Sequence, residues 1–251
     1  MPESLVFVGL LLAGVGAGFI NVLAGGGSVF VFAGLIFVGL SPAVANATVR
    51  MGLLGQSLIA TNAFRKHNLF YGREGFLLGL ASLPGAILGS FLASNIDESL
   101  IKTILIFVMC FVVVSILLPN KFNLNQLADK EVAPEISPWA YPLMFLVGCY
   151  GGFIQAGVGF LIMAVLGSMS GASLLQVNSL KVFIVLCYTI PTLVVFYYNG
   201  LIAFAYGIPL MIGYATGGWF GVRWSVEKGD KAIRWVVAIM ITLMAIKLIS
   251  T

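Results

Sequence analysis

Gly18-Phe19-Ile20-Asn21-Val22-Leu23-Ala24-Gly25-Gly26-Gly27-Ser28 decides the fold, because the chain contains a second copy shortened by two residues, Gly152-Phe153-Ile154-Gln155-Ala156-Gly157-Val158-Gly159. Ala24, Gly25 and Gly27 precede Ala156, Gly157 and Gly159 by 132 positions, and that offset also relates Asn46 to Asn178, Gly85 to Gly217, Gly89 to Gly221 and Ile101-Lys102 to Ile233-Arg234. The register does not slip over this span. The chain therefore divides into a first unit, residues 1–118, and a second, residues 138–251. Between them lies a polar stretch, 119–137, that carries Asp129, Lys130, Glu131, Pro134 and Glu135 and reads as a surface linker.

The surrounding composition sets the solvent. Hydrophobic residues make up 60% of the 251 and charged residues 9%, and the mean hydropathy is +1.07. Apolar runs recur from end to end, as expected of an integral membrane protein. The first run, Leu5 to Leu23, follows Glu3 with no Lys or Arg ahead of it and no cleavage pattern after it, so a retained segment is expected rather than a secretory signal. Cys110, Cys149 and Cys187 each lie in an apolar run without metal-ligand spacing, and neither a disulfide framework nor a metal or cofactor site is expected. The net charge of +4 reflects which loops face the cytoplasm and does not point to nucleic acid.

Charge placement orients the two copies. The loop after the first copy's long helix carries Arg65, Lys66, His67 and Arg73, whereas its counterpart, Tyr197 to Gly200, is uncharged. The next loop reverses the bias: the first copy has Asp97 and Glu98 with Lys102 at the loop's end, and the second has Arg223, Lys228, Lys231 and Arg234 against Glu227 and Asp230. The positive-inside rule then makes two non-equivalent loops cytoplasmic, so the copies are expected to be inverted, with the linker inside and both termini outside. Inverted repeats are a recurrent construction of secondary transporters, with substrate held near the midplane where the copies meet.

This topology requires a hairpin at the start of each copy, Leu5 to Leu40 and Trp139 to Met169, with the glycine cluster at its tip and three transmembrane helices after it. Arms of about 13 to 18 residues are short for a bilayer that takes about 20, so re-entrant or strongly broken arms are expected. The fold class is thus an all-α polytopic membrane protein. Non-helical backbone at membrane depth is tolerated only when buried in protein or lining a cavity, and a half-helix that starts there offers unpaired N–H groups to an anion. Gly25, Gly26, Gly27 and Ser28 on one tip, with Ser28 as a candidate cap, and Gly157 and Gly159 on the other are therefore candidate binding residues. Close helix packing is the competing reading for these glycines, and the better one for Gly85, Gly89, Gly217 and Gly221.

The helices beginning near Ser41-Pro42 and Ser173 carry the polar side chains; Ser41 with Pro42 behind it is a helix-start signal. Arg50 and Lys181 are the charges inside the apolar body of the chain, and no acidic residue accompanies them there. A charge at membrane depth marks a functional site by default. Asn46 lies four residues before Arg50 and Asn178 three before Lys181, so each amide shares a helix face with its cation. Gln56 and Asn62 extend a polar stripe in the first copy, and Gln176, Ser179 and Thr189 do so in the second; Pro191 is a candidate kink. The alternative for Arg50 and Lys181 is snorkelling or a bond to a helix-end carbonyl, and for the amides and hydroxyls it is interhelical hydrogen bonding. Lys181 stands opposite Val49 and not Arg50, so the cations are one position, about 100°, out of register. An asymmetric site is expected, with one cation on substrate and the other gating or anchoring.

Gly18 to Asn21 with Ala24 to Ser28, then Pro42-Ala43-Val44-Ala45-Asn46-Ala47-Thr48, and in the second half Gly152 to Gly159 with Asn178 to Val182, resemble the TauE/SafE sulfite exporter family, also called the toluenesulfonate uptake permease family. One departure is that Val29 to Gly39 lacks the proline found there in many members. The resemblance spans nearly the whole chain and implies a carrier of the cytoplasmic (inner) membrane for sulfite or an organosulfonate such as sulfoacetate. In the expected mechanism the anion sits between the glycine tips, with Asn21, Gln155, Asn46 and Asn178 as donors and Arg50 and Lys181 as charge. Gln56, Gln176, Ser179 and Pro191 line or gate the pathway. The expected partners are the small anion and the lipid bilayer; a homodimer is an open option. An enzyme lacks its constellation here, since the sole histidine, His67, falls in a loop. An anion channel, a carrier for another small anion such as thiosulfate, and a structural membrane subunit stay open beside the transporter reading.

Overall fold

In the computed structural model the described residues are 3–96 and 134–249, and they fold into helices α1 (Glu3–Ala24), α2 (Gly27–Phe37), α3 (Pro42–Lys66), α4 (Gly72–Asn95), α5 (Ala140–Phe153), α6 (Val158–Met169), α7 (Leu174–Tyr198) and α8 (Phe204–Ile249). The helix expected at Leu100–Leu118, the linker up to residue 133, Lys102 and Thr251 lie outside the described residues. Helix α8 breaks at Gly229, whose φ of 69° and ψ of −172° are non-helical. It therefore supplies two successive helical segments, as the duplication demands. The chain is an all-α polytopic membrane protein. By length and hydropathy Leu5–Ala24, Gly72–Asn95 and Leu174–Tyr198 each suffice to cross a bilayer. Large apolar side chains such as Leu80, Leu88, Phe91, Ile190, Val194 and Phe220 face outward, as lipid-facing positions do.

Each copy opens with the expected broken hairpin. Helix α1 ends at Ala24 and α2 starts at Gly27; α5 ends at Phe153 and α6 starts at Val158. Gly25 (φ 81°) and Gly157 (φ 78°), duplicates of one another, both take the left-handed conformation that reverses the chain at little cost without a Cβ. The arms differ from expectation at one point. Helices α2, α5 and α6 have 11, 14 and 12 residues, but α1 has 22, so the first arm is long enough to span. The apolar run is continuous from Leu5, and Glu3 and Ser4 add two residues of helix ahead of it. Ser28 does not cap: the N-cap of α2 is Gly26, without a side-chain bond, and Ser28 sits within the helix.

The long helices start and end as duplicates. Ser41 Oγ accepts from Val44 N with Pro42 in the first turn, and Ser173 forms a capping box with Gln176. At the far ends Asn68 (φ 58°) and Gly200 (φ 68°), again 132 apart, let Leu69 N donate to Phe64 O and Leu201 N to Phe196 O, both at 3.0 Å. Each is the 6→1 bond that satisfies a helix-end carbonyl. Pro191 lies inside α7, and the helix runs through it.

Packing is reciprocal between copies. Helix α1 lies on α8 and α5 on α4; α3 lies on α8 and α7 on α4; α3 meets α7 at the centre. Exchanging the copies maps the first four of these pairs onto one another and the α3–α7 pair onto itself. The α4–α5 and α1–α8 contacts are backbone-close. A Cβ on Gly85 or Gly89 would meet Phe145 O at 2.2 Å or Cys149 O at 2.1 Å, and one on Gly213 or Gly217 would meet Leu11 O at 2.3 Å or Val15 O at 2.0 Å. Helix packing is what these small residues serve.

Candidate functional site

The last carbonyls of an α-helix have no partner within the helix and carry its negative dipole end, so a cation or amide placed there is bound by both effects. The hairpin breaks leave two such ends at membrane depth, those of α1 and α5. Each is held by the long helix of the other copy. From α3, Asn46 Nδ2 donates to Phe153 O at 2.8 Å, Asn46 Oδ1 accepts from Gln155 N at 3.3 Å, and Arg50 donates to Gly152 O at 2.6 Å and to Gln155 Oε1 at 3.0 Å. From α7, Asn178 Nδ2 donates to Leu23 O at 3.3 Å, and Lys181 Nζ donates to Asn21 O at 3.2 Å, Val22 O at 2.8 Å and Asn178 Oδ1 at 2.7 Å. The helix-end alternative raised for the two cations is thus realised in this conformation. The one-residue offset does not prevent it, because both side chains are long enough to swing back to the same target.

The break amides point into their own copies. Asn21 Nδ2 donates to Gln56 Oε1 at 3.1 Å and Gln155 Nε2 to Tyr188 Oη at 3.2 Å; Gln56 and Tyr188 are themselves duplicates, 132 apart. Between the copies the tips touch. A Cβ on Gly25 would lie 2.5 Å from Gly159 Cα, and one on Gly159 would lie 2.3 Å from Gly25 Cα. Gly26 faces the ring of Phe160, and Gly27 packs on Ala17 O of α1.

Arg50 and Lys181, both at most 2% exposed, are not equivalent electrostatically. The three N–H groups of Lys181 face three oxygens and, at 3.7 Å, Met163 Sδ. Arg50 lies with its guanidinium carbon 4.8 Å from the centre of the Phe196 ring, and its Nε has no partner. Among the described residues no Asp or Glu is buried, so both charges sit among neutral oxygens.

Of the expected residues, Asn21, Asn46, Arg50, Gln155, Asn178, Lys181 and Gln56 come together with Gly25 and Gly159 around the two breaks. Gln176 and Ser179 do not join them. Gln176 Oε1 accepts from Ser173 N at 2.8 Å in the cap of α7 and its Nε2 donates to Tyr71 Oη at 3.0 Å, while Ser179 Oγ donates to Leu69 O. Asn62 is exposed and leaves the polar stripe. Asp230, beside the α8 break, accepts from Leu174 N at 3.1 Å and Leu175 N at 2.9 Å at the start of α7. Tyr188, Phe196 and Ser57 escaped the sequence reading. Only Tyr188 and Ser57 had a signal there, as duplicates of the polar Gln56 and Thr189.

The description Sulfite exporter TauE/SafE matches residues 10–248. The chain is similar over 96% of its length to a probable membrane transporter protein, ORF9, of Sinorhizobium sp, at 26% identity and 91% coverage of that protein. It is similar over 98% of its length to the probable membrane transporter protein YfcA of Escherichia coli (strain K12), at 28% identity and 93% coverage, and over 96% to a probable membrane transporter protein of Haemophilus influenzae, at 25% identity and 93% coverage. No solved structure matches. A pair of broken hairpins, each with its helix end gripped by the other copy, and a match along nearly the entire chain lead to one conclusion: this protein is a membrane transporter, not an enzyme, and belongs to the TauE/SafE sulfite exporter family.

Proposed function

We propose that the protein carries a small sulfur-containing anion, sulfite or an organosulfonate such as sulfoacetate, outward across the cytoplasmic membrane by alternating access. One observation carries the anion reading: two buried positive charges, Arg50 and Lys181, are surrounded by neutral oxygens, with no buried carboxylate among the described residues. Taking a cation out of water is costly and neutral dipoles return only part of that cost, so an anion is the natural complement. The reciprocal pairing of helices supports copies of inverted topology, with residues 65–73 and 223–234 inside and both termini outside. Rocking of the copies breaks and remakes the grip of each long helix on the opposite hairpin, which exposes the site to one side at a time. The membrane potential, negative inside, drives an anion outward without a carboxylate relay.

The test is solute flux in proteoliposomes, comparing sulfite, thiosulfate, sulfoacetate and sulfate, for wild type and for Arg50→Ala. Saturable flux of a sulfur oxyanion, reduced at least tenfold by the substitution, is expected. Equal flux in the variant would remove Arg50 from the site, and ohmic conductance in single-channel recording would replace the carrier by a channel.

A further inference from the structure

Helices α3 and α7 pack against each other, and two pairings give their relative direction. Arg50 lies on the ring of Phe196, and Phe64 shares a buried cluster with Val182. Residue numbers rise along one helix as they fall along the other, so the helices are antiparallel. On α3 Arg50 and Phe64 are 14 apart, and on α7 Val182 and Phe196 are 14 apart; two heptads return to nearly the same face of a helix. Midway on each seam stand Ser57 and Thr189. They are duplicates at the 132 offset, both are fully buried, and both have side-chain oxygens without a hydrogen-bond partner. The exchange that maps one copy onto the other maps this pair onto itself, so it marks the centre of the two-copy arrangement.

A buried hydroxyl without a partner is costly, and two at one duplicated position are not explained by packing. Other described residues with buried unpartnered oxygens lack this symmetry: Thr61 is matched by Leu193, and Tyr214 by Ser82, whose hydroxyl donates to Gly79 O. Each seam hydroxyl directly follows the residue that receives a break amide, Gln56 from Asn21 and Tyr188 from Gln155. About 10 Å along α3, two turns away, is Arg50 with its unpartnered Nε. Hydroxyl protons from both sides, a cation with an unused donor, and no buried acid among the described residues together suit an acceptor-only guest with several oxygens.

We propose that Ser57 and Thr189 face one another across the α3–α7 seam and together donate to the transported oxyanion, forming its central binding station. This rests on the anion-transport reading above. It also answers the asymmetry between the cations: Lys181, with its donors engaged, anchors the first hairpin, and Arg50 completes the station.

The experiment measures flux of sulfite and of sulfoacetate in proteoliposomes, with anion-induced shifts in melting temperature of the purified protein, for wild type, Ser57→Ala, Thr189→Val, the double variant, and the hydroxyl-retaining Ser57→Thr and Thr189→Ser. Each hydroxyl removed should raise the KM for the anion about tenfold or more, since a hydrogen bond to a charged group is lost. Melting without anion should be unchanged or higher, because an unpartnered polar group has gone, and the hydroxyl-retaining variants should stay near wild type. Folding is therefore read independently of transport. If the double variant carries the anion with wild-type KM, or if its loss of flux comes with a fall in anion-free melting temperature that Ser57→Thr and Thr189→Ser share, the station is refuted and the transport reading stands. If wild type neither carries nor is stabilised by any of these anions, the transport reading fails and the station falls with it.

Discussion

Replacing Lys181 with Met keeps an unbranched side chain, one atom shorter, and removes its charge, which tests the ammonium's grip on the end of α1. Two of its bonds cross between helices, to Asn21 O at 3.2 Å and Val22 O at 2.8 Å; the third, to Asn178 Oδ1, stays within α7. Interhelical hydrogen bonds in membranes average about 0.6 kcal/mol and reach about 1.7 kcal/mol, and a charged donor belongs at the upper end, so the two bonds contribute about 2–3 kcal/mol. The helix dipole at the α1 terminus acts in the same direction, and relief of the buried charge acts against it. For a chain of this size each kcal/mol corresponds to about 2–4 °C, which gives a fall of about 5–10 °C for Lys181→Met. Purified wild type and variant would be compared in one detergent at one scan rate, since membrane proteins unfold irreversibly. Residual flux of sulfite with a near-normal KM and a lower maximal rate is the matching functional result. A melting temperature within about 2 °C of wild type would refute the anchoring role, because the worked loss exceeds that margin. A KM raised as strongly as in Arg50→Ala would instead make Lys181 a direct contact.

Three further outcomes follow. Gly25→Ala or Gly159→Ala should abolish monodisperse protein or reduce flux at least tenfold, since either Cβ meets backbone of the opposite tip at 2.5 Å or less, whereas Gly34→Ala, with nothing within 4 Å, should behave as wild type; size-exclusion profiles and flux separate the cases. Gln176→Ala opens the capping box of α7 and should lower the melting temperature by about 2–4 °C, as a loss of about 1 kcal/mol implies, while leaving the KM unchanged. A reporter fused after Thr251 should be active only when it works outside the cytoplasm; activity of a cytoplasmic reporter there would overturn the orientation.

The duplication was legible because it is written in residue identities at constant spacing, and backbone events follow identity closely where only glycine is comfortable. Gly25 and Gly157 turn left-handed as a pair. Ser41 and Ser173 cap as a pair. The small-residue spacing of Gly85 and Gly89 announced a close helix contact without naming α5 as its partner. The structure places Gln176 in the capping box of α7, a position that polarity on a helix face does not distinguish from a pathway lining. Ser28, a candidate cap by its sequence, lies inside α2 because the helix already starts at Gly27.

The sequence by itself determined the solvent, the two copies, their broken hairpins and the two cations, because hydropathy, repeat spacing and left-handed glycines are local properties of the chain. Only the tertiary structure decided what the cations hold. Asn46 with Arg50 and Asn178 with Lys181 bond carbonyls more than 100 residues away in sequence, on the opposite copy, a pairing set by how helices cross and not by any neighbour in the chain. The same holds for Ser57 and Thr189, ordinary hydroxyls in two separate helices until α3 and α7 run antiparallel at one register and leave both without a partner.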